Sequence, residues 1–396
     1  MSSSPDERDH ARARARAWPG EPEHSPEHGP KDGAPHVRAF APGRVCLIGE
    51  HTDYNDGLAL AFAIAEGVTV DARRIEPEES GREDDSKRVQ AHALDFGERD
   101  EFALSDPQPA PGWRAFVRGT VAELRHAGLR PVGASLEIEG SIPRGAGLSS
   151  SAALEVALSL ALLALAGTTE EIDRTKLAKL CARVENEWAG AQTGLLDQLS
   201  SLHGEQDMAL RIDFQTLRID PAPLHLDGWR LVTLDSGEQR ENASSGYNQR
   251  RAECARACEL LDVSSLREVS WGQLEQLPSP LRERARHVLS DNRRVDGAAA
   301  ALRAGDLPGL AALLNASHAS LRDDLDVSTP KVEATVRRML DAGAAGARLL
   351  GGGFGGSVLG LLPPGVPVPA GGLEVRPCAG ARVLEAEARR VGSGPS

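Results

Sequence analysis

The run Ala41-Pro42-Gly43-Arg44-Val45-Cys46-Leu47-Ile48-Gly49-Glu50-His51-Thr52-Asp53-Tyr54-Asn55-Asp56-Gly57 sets Arg44, Glu50, His51 and Asp53 into a short turn-rich stretch bounded by glycines. Arg44 offers a planar cation with several donors, Glu50 and Asp53 offer acceptor oxygens, and His51 can do either. That mixture suits a polyhydroxylated or phosphorylated small molecule.

A second run, Ile142-Pro143-Arg144-Gly145-Ala146-Gly147-Leu148-Ser149-Ser150-Ser151-Ala152-Ala153, reads as a strand end, a Gly/Ser loop and the start of an apolar helix. Glycines let a backbone approach an anion, and a helix start leaves N–H groups unpaired at the positive end of the dipole. Phosphate is the natural guest, and a serine hydroxyl there can reach a magnesium ion. Serine capping of a core helix is the alternative for the same residues. No Gly-Lys pair occurs anywhere, which excludes a Walker A loop, and no His-Arg-Asp of the protein kinases is present.

Two further segments carry weaker signals. In Gly190-Ala191-Gln192-Thr193-Gly194-Leu195-Leu196-Asp197-Gln198 an acid follows two glycines, and on its own Asp197 reads as a helix cap before it reads as catalytic. Just upstream, Glu185 and Glu187 lie on opposite edges of an apolar helix face, so periodicity does not choose a metal ligand between them. Gly351-Gly352-Gly353-Phe354-Gly355-Gly356 contains G-x-G-x-x-G, but a strand-like run follows where a dinucleotide fold needs a helix. A glycine turn closely approached by another loop or a ligand is the better reading.

The elements that must position these groups alternate in clusters. Apolar strand-like runs fall at residues 45–48, 58–64, 68–72, 89–93 and 134–138, and again at 209–212 and 229–234. Helical periodicity marks residues 113–125, 152–166 and 170–188, then 247–261, 280–304, 308–320 and 331–342. A charged loop spans 76–87. Strand clusters mixed with helix pairs imply α+β layers rather than a regular βαβ series.

With 396 residues the chain should form two domains, and a cleft between them is the expected site. The formal net charge of −13 disfavours nucleic acid as a partner. Five cysteines, an odd number, fit free thiols in a reducing cytoplasm. Cys254 and Cys258 stand at helical spacing, but nothing nearby completes a tetrahedral metal set. The acidic N-terminus is no signal peptide, and the apolar run at 152–166 carries Glu155 and is too short to span a bilayer, so no membrane association is expected. Residues 1–35 are poor in large apolar side chains and are expected to be a flexible leader.

Taken in order, the three runs at 41–57, 143–153 and 351–356 resemble the three motifs of the GHMP small-molecule kinases. The first, with Gly43-Arg44, Ile48-Gly49-Glu50-His51-Thr52-Asp53-Tyr54 and Gly57, resembles the galactokinase signature within that family. The likeness covers nearly everything from Val37 to about Leu384. It implies an α+β, two-domain GHMP kinase fold: an N-terminal domain like ribosomal protein S5 domain 2 over 36–222 and a ferredoxin-like C-terminal domain over 223–396. It implies ATP-dependent phosphorylation of the anomeric hydroxyl of galactose, the first committed step of galactose use. The alternatives are a kinase for N-acetylgalactosamine or arabinose, or a non-catalytic galactose and ATP sensor.

By the same resemblance, Arg44 and Asp197 are catalytic, and Glu50, His51, Asp53, Gly194 and Tyr247 bind the sugar. Gly145, Ala146, Gly147, Leu148, Ser149, Ser150 and Ser151 wrap the ATP phosphates, with Trp113 and Phe116 beside the adenine. Ser151 and Glu185 hold Mg²⁺, which separates Glu185 from Glu187. Asp197 is either the general base or the group that orients the sugar hydroxyl. Cys46, Arg240, Leu350 and Leu325 stand where galactokinases usually carry Asn, His, Thr and Tyr. The segment between Leu362 and Val375 lacks a helix the family has there. A soluble cytoplasmic monomer is expected.

Overall fold

Two long neighbouring strands organise the molecule: β1 (His36–Ile48) and β2 (Leu58–Arg74) pair antiparallel from His36 with Arg73 to Ile48 with Leu60. At its start β1 alternates buried and half-exposed residues, and from Ala41 onward it is buried on both faces. The computed structural model describes residues 35–76, 87–143, 145–168, 173–238 and 243–387. The leader expected at 1–35, apart from Pro35, nearly all of the charged loop at 76–87, Arg144 and Arg240 lie outside the described residues.

The first sheet has eight strands, with β3 (Arg88–Ala93), β4 (Glu98–Ala103), β5 (Ala134–Gly140), β6 (Met208–Asp213), β7 (Arg218–Pro223) and β12 (Arg382–Glu387) joining β1 and β2. Its order is β12-β1-β2-β5-β3-β4, and β6 pairs with the start of β2 and with β7. The runs at 58–64 and 68–72, read as separate strands, are one strand, because β2 changes partner from β6 to β5 without leaving the sheet. Sequence reasoning missed β4 and β7 for a physical reason. β4 pairs only with β3, buries only Phe102 and is charged at residues 98–101; β7 pairs only with β6 and carries Pro221 and Pro223, which edge positions tolerate.

Of the helices α1 (Trp113–His126), α2 (Ser150–Leu165), α3 (Arg174–Arg183) and α4 (Leu196–His203), α2 and α4 pack on this sheet, and α1 and α3 pack over α2. α2 is apolar on nearly all sides because it is sandwiched, with Val156, Leu158 and Leu162 fully buried. α3 runs on into one π-helical turn, Val184–Trp188.

A second sheet, all antiparallel, is ordered β11 (Gly372–Val375), β8 (Arg230–Asp235), β10 (Ser357–Leu362), β9 (Gly346–Leu349). The helices α5 (Ala243–Leu261), α6 (Leu281–Ala304), α7 (Leu307–Asp323) and α8 (Pro330–Asp341) complete this half, and α7 and α8 pack on its sheet. Caps fix two starts: Asp306 accepts from Gly309 N, and Thr329 accepts from Val332 N ahead of Pro330. The main core is continuous from β1 and β2 through α6 and α7 to Leu359 and Leu361 of β10, so the two halves share one core and the described residues pack as one compact unit. β12 returns to the first sheet beside β1.

Candidate active site

One cavity of about 310 Å³ collects residues from all three chemistry-bearing runs. Its lining includes Arg44, Glu50, His51, Asp53, the loop from Gly145 to Ser151, Glu185, Gly194, Asp197, Tyr247 and Gly351 to Gly353. Every candidate site residue except Trp113 and Phe116 is therefore at one place, although the segments lie about three hundred positions apart in the chain.

At the centre stands an ion pair. Arg44, on the doubly buried part of β1, places Nε 2.8 Å and Nη2 2.6 Å from Asp197 Oδ1, and donates through Nη1 to the Gly147 carbonyl at 2.8 Å. Burial works against the guanidinium's charge, but Asp197 and Glu50 outweigh it and hold Arg44 above its already high range. The close approach depends on Gly43, where a Cβ would come within 2.4 Å of the Leu148 carbonyl. That carbonyl accepts from Arg44 N at 3.1 Å.

Asp197 lies in the first turn of α4 and does not cap it, since the residue at the cap is Leu195 and makes no side-chain bond. Its second oxygen accepts from Ser149 Oγ at 2.5 Å. Ser149 precedes α2 in a left-handed conformation, φ 62°, and makes no capping bond. The serine-capping alternative for this loop is therefore not what the structure adopts: the hydroxyl that would cap is turned toward Asp197, and the N-terminus of α2 opens on the cavity.

Ser151 donates to Glu185 Oε1 at 2.8 Å, while Thr193 and Gln198 donate to Glu185 Oε2, each at 2.9 Å. The π-helical turn brings Glu185 inward and leaves Glu187 exposed, which periodicity of an ordinary helix could not resolve. Burial, then the nearby Asp197 carboxylate, pushes the Glu185 pKa up.

The other end of the cavity is closed by side chains. Glu50 accepts from Gly351 N at 2.7 Å, and the fully buried Arg348 stands 3.6 Å away. His51 uses both ring nitrogens: Nε2 lies 3.1 Å from the Gly352 carbonyl and Nδ1 lies 2.7 Å from the Tyr54 hydroxyl. A carbonyl can only accept, so Nε2 carries the proton and Nδ1 accepts from Tyr54. Burial lowers the His51 pKa to about 3, so the ring is neutral. Both nitrogens being spent inside the protein, His51 offers the cavity its ring and the shape of its loop. Tyr247 stacks beside it, ring centres 4.7 Å apart. Asp53, pushed up to about 6 by burial and by Asp197, faces Gly194 so closely that a Cβ there would come within 2.2 Å of its Oδ2.

Helix α6 braces this loop from outside. His287 Nε2 bonds the Glu50 carbonyl at 3.0 Å, Asp291 accepts from Gly49 N at 3.2 Å, and Asn292 accepts from Leu58 N at 2.8 Å. Sequence reasoning missed Arg348, Thr193, Gln198 and this bracing set. A lone arginine within the apolar run of β9 was the signal for Arg348; the others carried none.

Trp113 lies apart, its Nε1 donating to Glu98 at 2.9 Å. With Phe116, Val68 and Ile138 it lines an adjoining, more apolar recess of about 630 Å³ that shares Ile142, Pro143, Ser150 and Ser151 with the main cavity. Of the departures from the family pattern, Cys46, Leu350 and Leu325 are fully buried and do not line the cavity.

Comparison with known proteins defines the class. The family model for the GHMP kinases N terminal domain matches residues 115–205, and that for the GHMP kinases C terminal matches residues 298–368. A Methanococcus jannaschii mevalonate kinase structure superposes with a TM-score of 0.57 at 16% identity, over 88% of this chain and 99% of that one. The fold is thus the α+β, two-domain fold of the GHMP kinases, which are phosphotransferases.

Within that class the match is narrower. A model described as the galactokinase galactose-binding signature covers residues 24–74. A galactokinase of Roseiflexus sp. (strain RS-1) is 43% identical over 339 residues, 83% of this chain and 84% of that protein, and one of Thermotoga maritima is 37% identical over 330. The crystal structure of Lactococcus lactis galactokinase complexed with galactose has a TM-score of 0.80 at 32% identity, covering 88% of this chain and 95% of that one. The chain belongs to the galactokinase family.

Proposed function

We propose that this enzyme transfers the terminal phosphoryl group of ATP to the anomeric hydroxyl of galactose. The observation that carries the reading is the Arg44–Asp197 pair, held between a helix N-terminus on one side and a closed polar pocket on the other. Phosphoryl transfer asks chiefly for positioning and for charge stabilisation, and both are built here.

The loop from Gly145 to Ser151 and the start of α2 supply backbone donors for the phosphates. The recess beside Trp113 and Phe116 has the apolar character an adenine ring requires. Glu50, Asp53, Tyr247 and the backbone at Gly194 surround the sugar, with His51 fixing the wall between Tyr54 and Gly352. Both oxygens of Asp197 already accept hydrogen bonds, from Arg44 and Ser149, so the carboxylate is anchored to orient the sugar hydroxyl toward the phosphoryl group. Arg44, whose charge its surroundings strengthen, stabilises the phosphoryl oxygens as charge spreads over them.

The Ser151 hydroxyl and Glu185 carboxylate suit Mg²⁺: two hard oxygen donors side by side at the phosphate loop leave the remaining positions to phosphate and water. Bound there, the ion would neutralise phosphate charge. Thr193 and Gln198 hold Glu185 in place for it.

An ADP-release assay across galactose, N-acetylgalactosamine, arabinose, glucose and mevalonate tests the assignment. Galactose is expected to give the highest kcat/KM, and turnover confined to another substrate overturns it.

A further inference from the structure

Glu155 is a carboxyl group in the middle of the apolar helix α2, with no exposed surface. It stands one helical turn beyond Ser151, on the same face. Its Oε2 accepts from Gln198 Nε2 at 3.3 Å, and that same amide nitrogen donates to Glu185 Oε2 at 2.9 Å. Both hydrogens of the Gln198 amide are thereby used. Two buried oxygens of this pair, Glu155 Oε1 and Gln198 Oε1, have no hydrogen-bond partner.

An ionised carboxylate cannot mend that deficit, because neither orphan oxygen then carries a proton. It would also add a third negative charge near Glu185 and Asp197, the charged groups that act on it, at a fully buried position. One proton on Glu155 Oε1, shared with Gln198 Oε1, satisfies both oxygens and closes an acid–amide ring. Burial, followed by the influence of Glu185, pushes the Glu155 pKa well above the usual carboxylate value, in agreement with a neutral acid.

We propose that Glu155 is a positioning residue: as a neutral acid paired with Gln198, it keeps the Gln198 NH₂ turned toward Glu185 and so holds that carboxylate beside Ser151 for the metal. A reversed amide would set its oxygen against the Glu185 carboxylate and release it. The inference rests on the reading of Ser151 and Glu185 as the Mg²⁺ ligands.

Its test is Mn²⁺ binding by electron paramagnetic resonance, with the full chain and a non-hydrolysable ATP analogue. Glu185→Gln and Glu155→Leu should each weaken Mn²⁺ binding about tenfold. Glu155→Gln should stay near the parent, since its amide can donate to Gln198 Oε1 and accept from Nε2. An infrared difference spectrum of the parent minus Glu155→Gln at neutral pH should show the carbonyl band of a protonated carboxylic acid. Parent-like Mn²⁺ binding by Glu155→Leu, with Glu185→Gln impaired, overturns the positioning role. Absence of the carbonyl band overturns it as well, and decides alone if Glu155→Leu does not fold. Parent-like binding by Glu185→Gln overturns instead the metal reading beneath it.

Discussion

The two ends of the cavity are built on different principles. The end proposed to hold the phosphates is a contiguous loop that offers backbone groups at the start of α2. The end proposed to hold the sugar is assembled from distant segments, and its side chains are locked to one another: Glu50 to Gly351 and Arg348, His51 to Tyr54 and Gly352, Asp53 against Gly194. A backbone cradle tolerates changes of side chain because its donors remain. A locked set of side chains transmits each change to its neighbours. The ion pair of Arg44 and Asp197 belongs to both, since Arg44 bonds the Gly147 carbonyl while Asp197 lies beside Asp53 and Gly194.

The largest effect is therefore expected at that junction. Asp197→Ala removes the acceptor proposed to orient the hydroxyl and leaves Arg44 buried without its partner. Turnover should fall by about 10³-fold or more, while binding of an ATP analogue, measured by calorimetry, changes little because the cradle is intact. Turnover close to the parent would show that the reacting centre lies elsewhere. Loss of nucleotide binding together with turnover would show that the two ends are not separable.

The same contrast governs what the sequence disclosed. The phosphate loop was legible because its chemistry and its chain order coincide: glycines, serines and a helix start follow one another at residues 145–151. The sugar end was legible only where charged groups cluster at 44–53. What holds them was not, because Arg348, Gln198 and the α6 residues His287, Asp291 and Asn292 act from remote positions, and their hydrogen-bond partners are set by tertiary packing. The choice of Glu185 over Glu187 illustrates the limit. Family resemblance singled it out, while the physical cause is a π-helical turn that no count of helical spacing anticipates. Strands fared likewise. Apolar runs in the interior of the sheet were found, whereas β4 and β7, charged or proline-bearing and each paired along one side, lacked the pattern that burial imposes.

A smaller effect, confined to one end, is expected at Gly194. A methyl group there would collide with the Asp53 carboxylate, which must turn away or carry the loop with it. Gly194→Ala should raise the KM for galactose by about tenfold, on the order of one lost hydrogen bond to a charged group, and leave the KM for ATP near its parent value. Steady-state kinetics with each substrate varied in turn reads the split. An equal rise in both constants would mean that the lock at the sugar end extends into the cradle.

The mildest expected effect needs no mutation. Asp53 titrates near pH 6 because burial and the neighbouring Asp197 disfavour its charge. As pH falls through about 6 it takes up a proton and loses one acceptor site for a sugar hydroxyl, so the KM for galactose should rise by a few-fold between pH 7 and pH 5, in keeping with a single weakened hydrogen bond. His51 adds nothing to that change in KM, its ring in the folded protein being neutral down to about pH 3. The stability linkage runs the other way. Between its ordinary value of 3.8 and about 6 the folded protein binds this proton and the unfolded chain does not, so Asp53 contributes stability at low pH that is lost as pH rises through about 6. His51 opposes this, because its unfolded ring takes up a proton below about 6.5 that the folded ring refuses, so the Asp53 share is read as the difference in unfolding free energy between the parent and Asp53→Asn, which should favour the parent more at pH 5 than at pH 7. Asp53→Asn should abolish the galactose inflection, and an inflection that survives the substitution would assign it to another group.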